Sequence, residues 1–425
     1  MGRVEIKRLY RSMKKYKIDS KNNYEEGRRS MNKQLSEKNM GISPSVTLAI
    51  TAKAKKMKAD GIDVISFAAG EPDFKTPVHI REAAIDTIEK GLTGYTAASG
   101  LPELKQAICD KLRKDNNLEY KPENIVVSNG AKHSLYNTLQ AICNPGDEVI
   151  VPKPYWVSYP ELVKLADAKP VFVEVLESNG FKYDIKTLSE AINSNTKAII
   201  LNSPNNPTGT VYTENELREI AEVAVKNNIY IISDEIYEKL IYDGKHVSIA
   251  SFGEEIKELT IVINGMSKAY AMTGWRIGYL AVKKEIASMI TNMQSHATSN
   301  PNTIAQYASI AGLQGDQEPI SEMVKAFKER RNYMVEKINS IDKLSCRMPE
   351  GAFYVMLNIS GVIGQELKGG KINNSMDFAG YLLDHAKVAV IPGAGFGVDN
   401  YVRLSYATSI DNIREGLKRI EEALK

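Results

Sequence analysis

Cysteine and histidine are scarce in this sequence. Its 425 residues include three cysteines, Cys109, Cys143 and Cys346, and no C-x-x-C pair. An odd number of widely separated cysteines favours free thiols in a reducing compartment over a disulfide framework. The five histidines show no metal-ligand spacing. We therefore expect a cytoplasmic protein without a metal site.

A long apolar run is also absent. A membrane span needs about 18 consecutive apolar residues, and no stretch of this chain approaches that length. The apolar content of 43% and the charged content of 25% are ordinary for a globular protein. The sequence predicts a soluble protein with no membrane partner, long enough for one large and one small domain.

Positive charge is concentrated at the start of the chain. Residues 1–30 carry ten basic and four acidic side chains, whereas the rest has 45 basic and 48 acidic ones. This segment lacks the apolar core of a signal peptide. We interpret residues 1–36 as a flexible basic extension, with a nucleic-acid arm as the alternative and Met31 as a candidate true start. The mildly acidic remainder predicts no nucleic-acid partner.

Short apolar runs alternate with helical patterns through the middle of the chain. The runs are rich in β-branched residues and cover 124–128, 148–151, 197–201, 229–233 and 259–263. Such alternation predicts a largely parallel sheet with helices on both faces. After about residue 313 come a long charged helix (318–338) and strands at 354–357, 388–391 and 402–405. The predicted fold class is therefore α/β, with a large domain and a smaller α/β domain.

Chemically distinctive residues follow the five apolar runs. Ligands of open α/β sheets bind beyond the carboxyl ends of the strands, so these residues are candidates for one site. The helix opening at 128–132 suits a phosphate. The other candidates are a stacking ring, an amide donor, a carboxylate and two cations, supplied by Trp156, Asn206, Asp234, Lys268 and Arg276.

Each candidate also has a plainer interpretation when taken alone. Trp156 is explained by core packing, Asn206 by a turn, Asp234 by a cap and Lys268 by solvation. Together, however, they match the needs of pyridoxal 5′-phosphate, PLP. This cofactor requires a lysine for a covalent bond, a carboxylate for its ring nitrogen and an arginine for its phosphate.

At this point the chain resembles the class I aminotransferases of PLP fold type I, and within them the bacterial-type aspartate aminotransferases. The resemblance runs from about Gly41 to the C-terminus. It is carried by AGEPDF (69–74), GYTAASGLPELK (94–105), PYWVSYPE (154–161), NSPNNPTG (202–209), SDEIYEKLIY (233–242), SKAYAMTGWRIGY (267–279) and VRLSYA (402–407). It implies a segment 37–73 that packs with the small domain, a large PLP-binding domain at 74–313 and a small domain at 314–425.

The resemblance also implies the residues that do the chemistry. Lys268 is the lysine that bonds to the cofactor and, once freed, moves the substrate proton. Asp234 holds the ring nitrogen, and Tyr237 and Asn206 bind the ring oxygen. Trp156 stacks on the ring. Lys268, Asp234 and Tyr237 are the implied catalytic residues.

The resemblance implies a second group of residues, which binds the phosphate of the cofactor. Its members are the backbone of Gly130 and Ala131 together with Ser267 and Arg276. Tyr95 reaches the phosphate from a neighbouring subunit, so the resemblance implies a homodimer with shared active sites. Gly265 stands where many aminotransferases have a serine that binds the phosphate.

Substrate binding is implied for a third group, which includes Asn206 and Trp156. Arg403 clamps the α-carboxylate, as arginine does in bidentate pairs, and the main-chain N–H of Gly70 assists it. Lys132 recognises a second, distal carboxylate. Ser43 stands where relatives that also transaminate prephenate tend to carry a basic residue, so that activity is not predicted.

The predicted function is transfer of an amino group from L-aspartate to 2-oxoglutarate by a ping-pong mechanism, giving oxaloacetate and L-glutamate. Its substrates are therefore amino acids and 2-oxo acids. An aminotransferase of alanine, aromatic or broad specificity is the first alternative. A PLP-dependent lyase of the same fold is the second. A regulator that only senses PLP would need a winged-helix domain ahead of the fold, for which about 40 residues leave no room.

Overall fold

The computed structural model describes residues 35–368 and 370–425. The basic segment 1–30 and the candidate start at Met31 lie outside the described residues. The chain divides into two units between Ile42 and Ser43. The described part of the first contains one short helix, Glu37–Met40, capped by the Ser36 side chain. The sheets and the candidate site belong to the second.

The described residues of the chain contain fourteen strands. In chain order they are β1 Ile65–Ser66, β2 Ile125–Ser128, β3 Glu148–Lys153, β4 Lys169–Glu174, β5 Thr196–Asn202, β6 Tyr230–Asp234, β7 Thr260–Gly265, β8 Gly278–Ala281, β9 Tyr354–Asn358, β10 Glu366–Leu367, β11 Gly370–Lys371, β12 Val388–Ala389, β13 Ile391–Pro392 and β14 Tyr401–Ser405. All five predicted strands of the middle region are present, and none of their ends is displaced by more than two residues.

A seven-stranded sheet with the order β2-β8-β7-β6-β5-β3-β4 forms the larger part of the fold. Its pairs are parallel except where β8 lies antiparallel between β2 and β7. The carboxyl ends of β2, β3, β5, β6 and β7 therefore meet at one edge of the sheet. The prediction of a mostly parallel sheet is confirmed, and this edge carries the candidate site.

Two strands of this sheet were not predicted. Strand β4 is the outermost strand of the sheet, only its Val173 is buried, and its apolar run covers just residues 171–173. Strand β8 is four residues long and begins with Gly278 inside a motif-rich segment. The single strand expected at 388–391 is wrong, because β12 and β13 are separate and pair with different strands.

Fourteen α-helices are described, and the first is the short α1, Glu37–Met40. The others are α2 Val46–Ala59, α3 Val78–Glu89, α4 Pro102–Asn116, α5 Ala131–Ile142, α6 Tyr159–Leu165, α7 Ile185–Glu190, α8 Glu214–Asn227, α9 Glu254–Leu259, α10 Lys284–Ala297, α11 Thr303–Gln314, α12 Glu318–Asn339, α13 Ser375–Tyr381 and α14 Ile410–Ala423. The charged helix predicted at 318–338 corresponds to α12. None of the described helices is long and apolar enough to cross a membrane.

Both faces of the large sheet are buried. Val149 and Ile200 belong to one core cluster, whereas their neighbours Ile150 and Ile199 belong to another. Alternate residues of one strand point to opposite faces, so two layers of side chains are sealed from water. Helices on both sides supply this cover, as the β-branched runs predicted.

The C-terminal strands form smaller sheets. Strands β13, β14 and β9 make an antiparallel sheet, and β1 pairs in parallel with β12. They surround a core centred on Phe327, Phe353 and Tyr406. The domain boundaries proposed at residues 73 and 313 stay predictions.

Candidate active site

Asp234 is the last residue of β6 and is 4% exposed. Its Oδ2 accepts a hydrogen bond of 2.7 Å from the Tyr159 hydroxyl, and its Oδ1 accepts one of 3.3 Å from the Ile236 N–H. Burial raises its pKa to about 6, although both hydrogen bonds favour the charged form. The charge of Lys268 lowers this pKa only slightly, and in the described part of the chain no ion pair to Asp234 offsets its burial.

Lys268 follows the end of β7 by three residues. Its Nζ donates to the Gly70 carbonyl and lies 5.6 Å from the ring centres of both Tyr237 and Phe353. Some of its side chain reaches solvent, but desolvation and then the charge of Arg403 lower its pKa to about 8. A substantial neutral fraction near physiological pH suits a nucleophile or a base.

Two glycines and an arginine meet at the start of α5. A Cβ atom on Gly130 would lie 2.2 Å from Arg276 Nη2, and one on Gly278 would lie 2.2 Å from the Ala131 nitrogen. Neither position therefore accepts a side chain. The first N–H groups of a helix have no partner within it and carry partial positive charge. Together with the exposed Arg276 guanidinium they form a site suited to an anion.

Arg403 lies in the middle of β14 and is 3% exposed. Its Nη1 donates to Asn206 Oδ1 at 2.9 Å, and Nη2 donates to the Ala68 carbonyl at 3.4 Å. Its guanidinium lies over the rings of Tyr354 and Phe396, at 4.2 and 5.1 Å. Its Nε is buried without a hydrogen-bond partner among the described residues. Burial lowers the pKa of this arginine, which lacks a carboxylate partner there.

Lys132 extends from the first turn of α5 towards Trp156, whose ring centre is 4.9 Å from its Nζ. Partial desolvation, followed by the charge of Arg276, lowers the pKa of Lys132. The Trp156 ring is half-buried and meets Tyr159 edge-to-face at 5.2 Å. The Trp156 indole thus packs against Tyr159 in the core, and its half-buried ring also lies beside the Lys132 ammonium.

Two tyrosines at the site were missed by sequence reasoning. Tyr159 holds Asp234, and the Tyr354 hydroxyl is 2.9 Å from that of Tyr237. Tyr159 occurs within PYWVSYPE, and Tyr354 begins a predicted strand directly after another aromatic residue. Both positions are therefore typical of ordinary core residues. The only available signal was a polar group in a position predicted to be buried.

The remaining predicted residues differ in their placement. Ser267 is buried beside Lys268, and Gly70 contributes its carbonyl to that lysine. Tyr95 is 94% exposed and does not join the site within this chain. A Cβ on Gly265 would lie 2.8 Å from the Cα of Gly278. The glycine there is therefore explained by close packing of β7 on β8.

A second cluster of ionisable side chains lies directly behind the site. Ligand atoms of Glu235, Glu238 and His246 lie within 4.8 Å of one another, although the sequence showed no metal-ligand spacing. The Lys111 ammonium pairs with Glu238, and Asn116 donates to the same carboxylate at 2.9 Å. Both carboxylates therefore already have internal partners, and we do not interpret this cluster as a metal centre.

The family model for aminotransferase class I and II matches residues 62–420. The chain belongs to this family.

The similarity between this aminotransferase and its relatives covers nearly the whole length of both chains. It is 52% identical to an aspartate aminotransferase of Bacillus sp. (strain YM-2), across 90% of this chain and 97% of that one. The aspartate aminotransferase of Bacillus subtilis (strain 168) is 51% identical, across 91% and 98%. An aspartate/prephenate aminotransferase of Nitrosomonas europaea is 45% identical, across 92% and 100%.

Solved aspartate aminotransferases share the fold of this family member. The enzyme from Rhizobium meliloti superposes with a TM-score of 0.89 at 42% identity, covering 92% of this chain and 99% of its own. The Thermus thermophilus enzyme with maleate gives 0.87 at 41% identity, covering 92% and 100%. The predicted family and the predicted fold type I are thereby confirmed.

Proposed function

We propose that this aminotransferase uses PLP to transfer the amino group of L-aspartate to 2-oxoglutarate. The observation that carries the proposal is Arg403, a buried arginine with no carboxylate partner among the described residues and with an unpartnered Nε. An uncompensated buried cation is costly. A substrate α-carboxylate would supply the missing charge in the bidentate geometry that arginine favours.

The described residues fit PLP in three respects. The start of α5 and Arg276 offer N–H donors for a phosphate, and two glycines allow the close approach of protein atoms that brings these donors together. Asp234 is a buried carboxylate that forms no ion pair among the described residues and feels Lys268 only as a minor coulombic attraction, so it can pair with the ring nitrogen. Lys268 has its pKa lowered to about 8 and would hold the aldehyde covalently. Trp156, Asn206, Tyr237 and Ser267 complete the set of residues proposed to hold the cofactor.

The chain's own residues would perform the binding and proton-transfer steps. When bound, PLP supplies an electron sink for negative charge on the substrate Cα. Arg403, assisted by the main-chain N–H of Gly70, orients the α-carboxylate. Lys268 Nζ removes the proton from the substrate Cα, and its lowered pKa keeps it a competent base near neutral pH. Asp234 stays ionised there and holds the positive ring nitrogen.

Lys132 is proposed to select dicarboxylic substrates. Its ammonium lies beside the available side of Trp156 and is partly desolvated. A second substrate carboxylate would form an ion pair with this lysine and offset its partial desolvation. We expect prephenate to be a poor substrate, because the uncharged Ser43 stands where relatives acting on it tend to be basic.

A second copy of the chain is proposed to complete each site. Tyr95 is almost fully exposed, and Ile85, Ile88 and Leu92 nearby in the sequence are exposed apolar residues. Such a concentration of apolar surface is typical of a protein interface. In the proposed homodimer, Tyr95 of one subunit contacts the phosphate held by the other.

The cofactor proposal is tested without measuring turnover. Reduction of the PLP-loaded protein with borohydride, followed by peptide mass spectrometry, should place the label on the peptide containing Lys268. Label on a different lysine would overturn the assignment. Mixing Tyr95→Ala and Lys268→Ala subunits should restore activity that neither variant has alone, because one site per mixed dimer is then intact. A mixture that stays inactive would contradict the shared site.

The substrate proposal is tested by comparing kcat/KM for aspartate, alanine and phenylalanine. Aspartate should be preferred, and Lys132→Ala should lower kcat/KM for aspartate by about 10-fold or more, as expected for the loss of one charged contact, while alanine is little affected. Lys186, whose side chain is 85% exposed, provides a control: Lys186→Ala should change neither substrate. Equal losses for aspartate and alanine would show that Lys132 serves folding or phosphate binding instead.

A further inference from the structure

Tyr354 connects two parts of the site that have separate proposed tasks. It begins β9 and is 1% exposed. One edge of it contacts Tyr237, and the face of its ring contacts Arg403. Tyr237 is proposed to act at the cofactor, and Arg403 is proposed to bind the substrate. One buried side chain thus touches both functions.

The hydroxyl contact constrains how Tyr237 uses its proton. A tyrosine hydroxyl has one proton to donate. If Tyr237 donates it to the ring oxygen of PLP, the 2.9 Å contact with Tyr354 requires Tyr354 to be the donor. A donor to the Tyr237 oxygen polarises that hydroxyl and makes it a stronger donor in turn. Tyr354 would then strengthen the action of Tyr237 without touching the cofactor.

The ring contact acts on Arg403. Its guanidinium carbon lies 4.2 Å from the centre of the Tyr354 ring, while Asn206 holds one edge through Nη1. A guanidinium that stacks on an aromatic ring is held against the face of that ring. The other edge of Arg403 then keeps a fixed direction, which prepares it for a carboxylate before substrate arrives.

We propose that Tyr354 is a positioning residue with two separable actions: its hydroxyl tunes Tyr237 and its ring orients Arg403 for the substrate carboxylate. This inference rests on the proposed function, since it assigns Tyr354 to the same site. Gly70 lies nearby, because a Cβ there would be 3.8 Å from the Tyr354 hydroxyl. The residue therefore also borders the loop that contacts Lys268.

Two substitutions separate the actions. Tyr354→Phe keeps the ring and removes the hydroxyl. It should raise the pH at which the absorbance of the PLP-loaded enzyme changes and lower kcat several-fold, with the KM for aspartate within about 2-fold of the original. Tyr354→Leu also removes the ring. It should raise the KM for aspartate and the Kd for maleate, an unreactive dicarboxylate, by about 3- to 30-fold, the range of a buried cation–π contact.

Tyr406→Phe is the matched control. Tyr406 is buried in the same core, and its hydroxyl contacts the Ala352 carbonyl at 3.3 Å. Removing this hydroxyl should leave the absorbance transition and maleate binding unchanged. A Tyr237→Phe/Tyr354→Phe double variant should show the same absorbance transition as Tyr237→Phe alone, because the Tyr354 hydroxyl acts through Tyr237.

The outcomes distinguish this inference from the proposed function. Failure of the unaltered enzyme to transaminate aspartate would reject the function. An active enzyme whose absorbance transition is unmoved by Tyr354→Phe, or a double variant with additive shifts, would overturn the role of the hydroxyl. Equal maleate affinity in Tyr354→Phe and folded Tyr354→Leu would overturn the role of the ring. If Tyr354→Leu does not fold, Tyr354→Trp replaces it and should weaken maleate binding, because its larger ring displaces Arg403.

Discussion

Asp234 and Glu235 are adjacent, both buried, and set in opposite electrostatic surroundings. Asp234 accepts one hydroxyl and one main-chain hydrogen bond. Glu235 accepts hydrogen bonds from Ser233 and Ser248 at 2.9 and 2.6 Å and contacts His246 at 2.9 Å.

The contrast extends to Glu238, three residues after Glu235. Glu238 pairs with Lys111 and accepts a hydrogen bond from Asn116. Burial acts to raise the pKa of Glu238, but the charge of Lys111 leads the effects that lower it to about 2. The pKa of Asp234 is raised to about 6. On one side of this segment, the Lys111 ammonium neutralises the Glu238 carboxylate, and this ion pair serves stability. On the other side, the Asp234 carboxylate has no ion pair among the described residues, as expected of a group whose cationic partner belongs to a ligand.

The largest effect on stability is expected on the neutralised side. Lys111→Met leaves the Glu238 carboxylate buried without its cation, which should cost about 3–5 kcal/mol of unfolding free energy. Urea unfolding of the cofactor-free protein measures the loss. The double variant Lys111→Met/Glu238→Gln should recover much of it, since no charge is then buried alone. A loss below about 1 kcal/mol, the range of exposed pairs, would show that solvent screens this pair.

Asp234→Asn should have the opposite effect. The amide keeps the shape of the carboxylate but removes a charge that burial disfavours. At pH 7.5 the cofactor-free protein should gain about 3 kcal/mol in unfolding free energy, since the pKa is raised from 3.8 to about 6 and one pKa unit corresponds to about 1.4 kcal/mol. Aminotransferase activity should be lost in the same variant. Thermal unfolding and an aspartate assay test both, and destabilisation at pH 7.5 would contradict the comparison.

The gain from Asp234→Asn should depend on pH in a defined direction. The pKa of Asp234 is raised in the folded state from 3.8 to about 6, so the folded form binds more protons between these values and the original protein loses stability as pH rises. The advantage of the asparagine variant should be full above about pH 6 and vanish near pH 4. Glu238 has its pKa lowered from 4.5 to about 2, so its contribution should be lost only below pH 4.5. Unfolding curves from pH 4 to 8 measure this profile, and a constant difference would contradict it.

The smallest effect is expected for Tyr159→Phe. It removes the hydroxyl that favours the ionised form of Asp234. The pKa of Asp234 should rise further, and stability at pH 7.5 should fall by about 1 kcal/mol, the typical worth of one hydrogen bond. In the Asp234→Asn background the amide oxygen still accepts from Tyr159, so a smaller loss is expected. An equal or larger loss there would mean that the tyrosine acts mainly through packing.

The strand ends were accessible to sequence reasoning for a physical reason. Parallel strands that are buried on both faces have nearly continuous runs of β-branched and other apolar residues. The end of such a run in the sequence therefore indicates where the strand ends. The polar residues after these runs, Asn206, Asp234 and Lys268, were therefore identified in order. Strands β4 and β8 were not predicted, because the apolar run of the edge strand β4 is only three residues long and β8 contains no β-branched residue.

Contacts between distant parts of the chain were not accessible in the same way. Arg403 and Asn206 are 197 residues apart, and Tyr237 and Tyr354 are 117 apart. Local patterns contain no information on which buried polar groups meet. Gly265 illustrates the limit, since its meaning as a packing position depends on Gly278 in the neighbouring strand.

The sequence by itself determined the α/β class, the family resemblance and the candidate residues at the strand ends, because apolar periodicity and strand-end chemistry are local properties of the chain. Tertiary structure alone decided which carboxylate is neutralised and which is left incomplete. It also decided that Tyr354 lies between Arg403 and Tyr237. Those outcomes depend on desolvation and on partners brought together by folding, and neither is encoded at a single position.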